Sequence, residues 1–476
     1  MRNASMRPLS HSFGNLILTL VILNGSGTLA QTLESPNATA KQINLTLDQA
    51  VATAIQNAIS VQKAKNDVES SGVQLMQAYG QFLPNLGILA GTNEAFGTSF
   101  VTATSPFVVQ GQSYGANLQV SSSINLYNGK GDIASLKAAL ARKSASSLSL
   151  ERAKQQIALD VTQSFLQIVL DHQIVQFAEK NLSYSRERQS QLETLTRVGT
   201  KNKVDLFRQQ AQTSADEYYY INSKNHERNS ELLLLRKLRM EFDSNYTFVE
   251  PSHEDINKRL SYPNDEGQLV KMALANRPDL SASEVLVNAA SWDIKSARAQ
   301  YLPHLDFAVG ALSSGREFQY LNVNGVNAEP ANQSPLSNQL GNQISYSLGL
   351  TLTWNIFDRD LTKANIARAT VNESNARLDF SDRRNQVINE IRQAYGDIQT
   401  AKKQIESTQS GLFSAAKAFD LIRTRFELGS ANFIDLITSQ GALVQAQSLH
   451  AQSRINYDLQ VQVLKTVIGG FDRNAF

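Results

Sequence analysis

Between residues 343 and 357 apolar and polar side chains alternate. Ile344, Tyr346, Leu348, Leu350, Leu352, Trp354 and Ile356 take the even positions, and Gln343, Ser345, Ser347, Gly349, Thr351, Thr353 and Asn355 the odd ones. A period of two is that of a strand with one greasy and one wet face. From Asp358 the period changes. Ile388, Ile391, Tyr395, Ile398, Lys402, Ile405, Gln409, Leu412, Ala416, Phe419, Arg423 and Phe426 recur at alternating intervals of three and four, which is a coiled-coil stripe. No proline follows Pro335 and no glycine lies between Gly349 and Gly396, so nothing stops a helix early. A helix over 358–428 would be about 100 Å long, far longer than one globular core can bury.

The same switch occurs earlier in the chain. Thr46 and Gln49 stand as a capping box before a helical pattern that runs to about Tyr79 and ends at FLPNL, where Pro84 forbids further α-helix. A strand-like segment to about Phe100 and a loop rich in Thr, Ser, Gly and Gln follow. A second strand over 114–127 has Tyr114, Ala116, Leu118, Val120, Ile124 and Leu126 on one face. Residues 132–198 contain neither proline nor glycine and carry two apolar stripes, Leu150, Ala153, Ile157 and Val161 against Leu159, Leu166, Leu170 and Phe177. Two stripes predict two helical neighbours.

The order of events is duplicated. Asn57 and Pro84 recur as Asn276 and Pro303, 219 residues on, and FLPNL recurs as YLPHL. LYNG at 126 recurs as IFDR at 356, and the turn around Gly199 recurs around Gly429, both 230 residues on. The extra eleven residues therefore fall between the paired strands of the second half, in an expected loop over 313–342 that Gly, Asn and Pro suit to an exposed, extracellular position. Each half reads helix, strand, loop, strand, long helix, tight turn, helix. The divisions expected are a signal peptide at 1–30, an unordered segment at 31–44, a first repeat at 45–250, a polar linker at 251–266, a second repeat at 267–470 and a tail at 471–476.

Composition narrows the object. With 18% charged residues and a mean hydropathy of −0.28, the chain is no bundle of transmembrane helices. Its one strongly apolar run, residues 13–23, follows Arg2 and Arg7 and precedes Thr28-Leu29-Ala30, the layout of a cleavable signal peptide. Residues 1–30 carry two arginines and no acid, so the formal charge of +2 falls to zero after cleavage, and nothing points to a nucleic-acid partner. No cysteine is present, which excludes disulfides, thiolate metal sites and an N-terminal lipid on cysteine. The six histidines show no ligand spacing, no catalytic motif is found, and five unclustered methionines disfavour a copper-export specialisation. The Tyr218–Tyr220 run reads as packing surface. Four amphipathic strands cannot close a barrel alone, which takes about eight. Several chains that pool strands into one outer-membrane barrel, with helices hanging below as a tube, resolve this.

The signal peptide, the doubled helix-strand-strand-helix halves, FLPNL and YLPHL, the L-Y-N-G junction and the R-V-G-T-x-x-x-V-D-L and E-L-G-S-x-x-x-I-D-L turns together resemble the TolC-like outer-membrane efflux proteins over roughly residues 45–470. The doubled set in the right order carries the resemblance, since no one motif is specific. It implies a mainly α chain with a β-barrel portion: a homotrimer in which four strands per chain build an outer-membrane β-barrel and long coiled-coil helices build a periplasmic α-barrel. It implies no enzyme and no cofactor. The function implied is the outer-membrane exit duct of a tripartite efflux or type I secretion system, giving passive passage of drugs or proteins from an inner-membrane pump through a periplasmic adaptor (membrane fusion protein). The reading from another class is a periplasmic coiled-coil scaffold or adaptor without a barrel, to which the one-sided strands at 114–127 and 343–357 are foreign.

By the same resemblance the turns at Gly199, Thr200 and Asp205 and at Gly429 and Ser430 are the adaptor-facing tip, and Asp435 is the pore constriction. The bland alternatives are C-cap glycines and helix-start aspartates favoured by the dipole. Where the family carries a locking tyrosine and arginine and a second aspartate, this chain has Phe426, Ala431 and Thr438. Lys201 and Lys203, beside Asp205, are candidates to replace part of that lock.

Overall fold

The structure is a computed structural model that describes residues 43–100, 108–242, 246–250, 265–323, 326–328 and 333–470. The expected signal peptide, the tail and nearly all of the linker lie outside the described residues. The expected unordered segment overlaps β1 (Ile43–Leu45), so its last two residues are strand. The first half continues with α1 (Leu47–Asn57), α2 (Ile59–Gly80), β2 (Gly87–Phe100), β3 (Val108–Asn128), α3 (Gly131–Arg197) and α4 (Lys203–Leu238). After β4 (Tyr246–Phe248) the second half holds α5 (Glu266–Asn276), α6 (Pro278–Ala299), β5 (His304–Val323), β6 (Val326–Ala328), α7 (Leu336–Asn342), β7 (Ile344–Thr353), α8 (Leu361–Glu427) and α9 (Phe433–Ile468).

The duplication holds to the residue in the helices. The four pairs α1/α5, α2/α6, α3/α8 and α4/α9 have 11, 22, 67 and 36 residues in both copies. Their local chemistry repeats too. The Thr46–Gln49 capping box is formed, each side chain bonding the other's backbone N–H at 3.1 and 3.3 Å. At the two strand-to-helix junctions the chain turns through consecutive left-handed residues, Gly129 and Lys130 in one half, Arg359 and Asp360 in the other. The side chain before each pair caps the new helix: Asn128 Oδ1 accepts from the N–H of Asp132 at 3.2 Å, and Asp358 Oδ2 from that of Thr362 at 2.8 Å. The helix expected from Thr46 to Tyr79 is broken at Ala58, whose ψ of 134° is extended, although no proline stands there.

The strands form one antiparallel sheet in the order β2-β3-β5-β7, with β6 pairing the far end of β5. Register puts the apolar sets on one face. Leu305, Phe307, Val309 and Ala311 of β5 lie opposite Leu352, Leu350, Leu348 and Tyr346 of β7; Phe307 and Ala311 lie opposite Ile124 and Val120 of β3, and Val120 opposite Ile88 of β2. The β7 side chains remain largely exposed, Tyr346 at 81% and Leu348 at 78%. Both outer edges of the sheet, β2 and β7, are open among the described residues. Two expectations change. The stretch 313–342 is not a loop, since it holds the second half of β5, β6 and α7. The last strand stops at Thr353, and Trp354 instead donates its indole N–H to the Tyr301 carbonyl at 3.1 Å.

The helices bury their cores in a belt away from the sheet. One cluster joins α1, α3, α4 and α9 through Ala50, Val51, Phe165, Leu166, Leu234 and Ile455; another joins α5, α8 and α9 through Leu269, Val387, Ile391, Leu464 and Ile468. α3 packs on α2 and α6 along its length toward the sheet, and on α4 and α9 toward its far end, so its stripes meet more neighbours than the two expected. On α8 the stripe keeps its heptad and broadens. Ile388, Ile391, Tyr395, Ile398, Ile405, Leu412, Ala416, Phe419 and Phe426 are at least half-buried as expected, whereas Lys402, Gln409 and Arg423 are exposed and an adjoining seam runs through Val387, Ala394, Ala401 and Thr408. Small side chains at these places let α9 approach, and the long polar ones turn to solvent.

Between the two clusters three helix ends meet around Arg277, whose side chain is 1% exposed. Arg277 grips Asp279 with two bonds of 3.0 and 2.6 Å and also donates to Glu390 of α8. Arg152 of α3 lies 3.7 Å from Asp279 and donates to the Thr466 carbonyl at the end of α9 at 3.2 Å, where the helix dipole favours a cation. Burial alone would raise the Asp279 carboxyl, but the Arg277 hydrogen bonds and the charges of Arg152, Arg277 and Arg383 outweigh it and hold it below the usual range. Gly469, with φ of +84°, ends α9 against this junction; a Cβ there would stand 2.8 Å from the Asn276 carbonyl oxygen.

Candidate functional site

The two turns that end α3 and α8 are built alike. In the first, Gly199 has φ of +81°, its N–H bonds the Thr196 carbonyl at 3.2 Å and the N–H of Thr200 bonds that of Leu195 at 2.9 Å. In the second, Gly429 has φ of +75°, its N–H bonds Phe426 at 3.1 Å and that of Ser430 bonds Arg425 at 2.8 Å. This double closure is a Schellman motif, and the left-handed residue in it is the reason for glycine. The Thr200 and Ser430 hydroxyls donate a second time to the same Leu195 and Arg425 carbonyls, at 2.9 and 3.1 Å. The next helices start on Asn202, which accepts from the N–H of Val204 at 3.1 Å, and on Asn432, which accepts from that of Asp435 at 2.8 Å. Gly199, Thr200, Gly429 and Ser430 are all exposed, and a Cβ on either glycine would meet nothing within 4 Å.

The two aspartates share a position and differ in surroundings. Asp205 is half-buried and lies 3.9 Å from Arg208, one turn on. Asp435 is exposed, with Thr438 at the place of that arginine. Its neighbours Phe433 and Leu436 are buried at 3% and 0%, which fixes the carboxylate on the opposite side of α9, and Ile434 is half exposed.

Where a family tyrosine would lock the tip, the Phe426 ring sits 6.2 Å from that of Phe433 and lies under the Lys201 ammonium at 5.0 Å. That cation–π contact joins the turns of the two halves and is worth about 0.5–1 kcal/mol at an exposed site. Lys201 thus bridges the halves through an aromatic face, and Lys203 shares no ring contact with it among the described residues. Above the turn, Arg188 of α3 donates to Gln440 of α9 at 3.4 Å, and Gln440 donates to Asn181 at 2.6 Å. Burial pushes the Arg188 guanidinium down and the charge of Glu427 works against it.

Sequence reading missed the polar stitching of α3 to α4. Buried Ser185 donates its hydroxyl to Asp216, and its carbonyl accepts from Gln209 at 3.2 Å and from Thr213 at 3.3 Å. The signal was present as polar residues at helical spacing on an otherwise packed face. Tyr218 is exposed at 72%, a surface that nothing in one chain covers.

These features have counterparts in known proteins. The model of the outer membrane efflux protein family matches residues 50–236 and 269–470, one match on each half. The pyoverdine export outer membrane protein OpmQ of Pseudomonas aeruginosa is 22% identical over 75% of this chain and 70% of its own length. The solved structure of CusC superposes with a TM-score of 0.75 at 15% identity, covering 89% of this chain and 92% of CusC. The CmeC outer membrane channel of Campylobacter jejuni superposes with a TM-score of 0.72 at 17% identity, over 90% and 86% of the two chains. With both repeats matched and the helix-and-sheet fold shared throughout, the chain belongs to the outer membrane efflux protein family.

Proposed function

We propose that three copies of this chain close into one conduit. Their pooled strands form a barrel in the outer membrane, and their helical hairpins form a periplasmic tube whose tip receives the adaptor of an inner-membrane pump. The observation that carries this reading is the sheet: one continuous apolar face, a wet face opposite, and two open edges. In lipid an open edge is untenable, so β7 of one chain must pair with β2 of the next. The ten residues of β7 match the 9–11 that a tilted strand needs to cross a bilayer. A soluble scaffold would have no use for such a face. Detergent-purified protein should have a protein mass of three chains and should fractionate with outer membrane. A well-folded, conducting monomer would end the proposal.

The turns at Gly199–Thr200 and Gly429–Ser430 form the adaptor-facing tip in this reading. Because a side chain added at Gly429 enters open space, Gly429→Trp strains the left-handed residue by about 1–2 kcal/mol without disturbing the packed hairpin. Trimers should therefore persist while export is lost. Gly429→Asn, which tolerates the same backbone, should keep both. Loss of the trimer in the tryptophan variant would reduce the turn to a structural cap.

A further inference from the structure

β5 is longer than its partner on one side. The β7 ladder ends at the pair Ser313–Ile344, and β6 takes over only at Leu321. Over residues 314–320 the strand has β3 on one side and, among the described residues, no strand on the other. A peptide edge of that length is a template for a further strand.

Two glutamine side chains occupy it. Gln339 of α7 accepts from the Arg316 N–H at 2.9 Å and donates to the Arg316 carbonyl at 3.0 Å. Gln333 does the same for Phe318, accepting at 2.6 Å and donating at 3.1 Å. A primary carboxamide presents its oxygen and its syn N–H side by side, as one residue of a partner strand presents its carbonyl and N–H, so each glutamine reproduces both bonds of one ladder rung. The strap is held to this task. Gln339 also donates to the Ser334 carbonyl at 2.7 Å, and Ser313 donates its hydroxyl to the Leu340 carbonyl. The strand admits it closely: a Cβ on Gly315 would stand 3.0 Å from Gln339 Cβ and 3.2 Å from Leu336. This folded strap lies in the same stretch as the eleven extra residues of the second half.

We propose that Gln333 and Gln339 act as a two-rung substitute strand that closes the outer edge of β5 against pairing with a strand from a second copy of the chain. This goes beyond the trimer reading and does not depend on it, because the trimer seam uses β7 and β2. In hydrogen exchange on the full detergent-solubilised protein, the amides of Arg316 and Phe318 should be protected. The double variant Gln333→Ala/Gln339→Ala should exchange there faster by on the order of tenfold per bond lost, with residues 305–312 unchanged, and should associate beyond the wild-type assembly in size-exclusion chromatography. Gln339→Glu, which keeps an acceptor and loses the donor, should fall between. Should the double variant fail to fold, the wild-type exchange still decides: Arg316 and Phe318 amides as fast as unpaired ones overturn the proposal. So does wild-type protection in the double variant, or lost protection without new association.

Discussion

Arg277→Ala should lower the stability of the folded chain by about 3 kcal/mol, at the low end of what removing one partner of a buried ion pair does. The change strips the carboxylate of Asp279, itself only 14% exposed, of two hydrogen bonds, and leaves it Arg152 at 3.7 Å and the charge of Arg383. Glu390 loses a partner too, but at 41% exposure water compensates most of that. A large membrane protein seldom unfolds reversibly, so the measurement is the rate of thermal unfolding in detergent. Arg277→Met combined with Asp279→Leu removes both charges and should recover much of the loss. The pH dependence has a definite sign. Asp279 is held below its ordinary value of 3.8, so its contribution is complete above that pH and is lost as the pH falls through its folded value. Arg277→Ala should flatten this acid limb. Unchanged unfolding rates in Arg277→Ala would mean that the three helix ends are held by their apolar contacts alone.

Asp435→Ala should change the conductance of reconstituted protein most. In the trimer reading the carboxylate is repeated three times around one axis, on the side of α9 opposite buried Phe433 and Leu436. A ring of like charges favours cations. Asp205 has Arg208 one turn on, which offsets its charge, whereas Asp435 has Thr438 there. In planar bilayers Asp435→Ala should lose cation selectivity, and a polyvalent cation applied from the tip side should bind on the order of tenfold more weakly, the factor given by about 1.4 kcal/mol of lost attraction. Asp205→Ala should do much less. Equal effects of the two substitutions, or none from Asp435→Ala, would make Asp435 a helix-start residue and put the narrowest ring elsewhere.

The sequence made the architecture legible because period and punctuation are local. The even positions from Ile344 to Leu352 need only a sheet face, and the run without proline or glycine over 132–198 needs only a helix. The duplication then fixed the order of elements in both halves. What escaped depends on neighbours. A stripe written from Ile391, Ile398 and Ile405 can take its second seam from either side, and packing buries Ala394 and Ala401 while Tyr395 stays half-buried and Lys402 turns to solvent. The polar run over 313–342 looked like a loop because Ser313 to Glu317 pair with β3 without an apolar alternation, and because Gln333 and Gln339 are fixed by bonds from side chain to backbone, which periodicity does not register. Nothing in the local sequence singles out Arg277, and only the fold brings Glu390 and Arg152 to it. At the two turns the glycines followed from the duplication and the roles of the aspartates from the family resemblance, while the Lys201–Phe426 contact joins residues far apart in the chain.

The two 67-residue helices impose a constraint on each other's length. Both hang from matching left-handed junctions, so equal length brings their turns to the same depth. Deleting one residue from α8 alone would raise its turn by about 1.5 Å and rotate every side chain below the deletion by about 100°. Deleting seven would keep the facing but leave that hairpin about 10 Å shorter than its sibling, a crown with alternate teeth missing their partner's level. Growth or shrinkage of the tube is therefore admissible only as four matched edits, one on the descending and one on the ascending limb of each half. Segments 230 residues apart must therefore change length together.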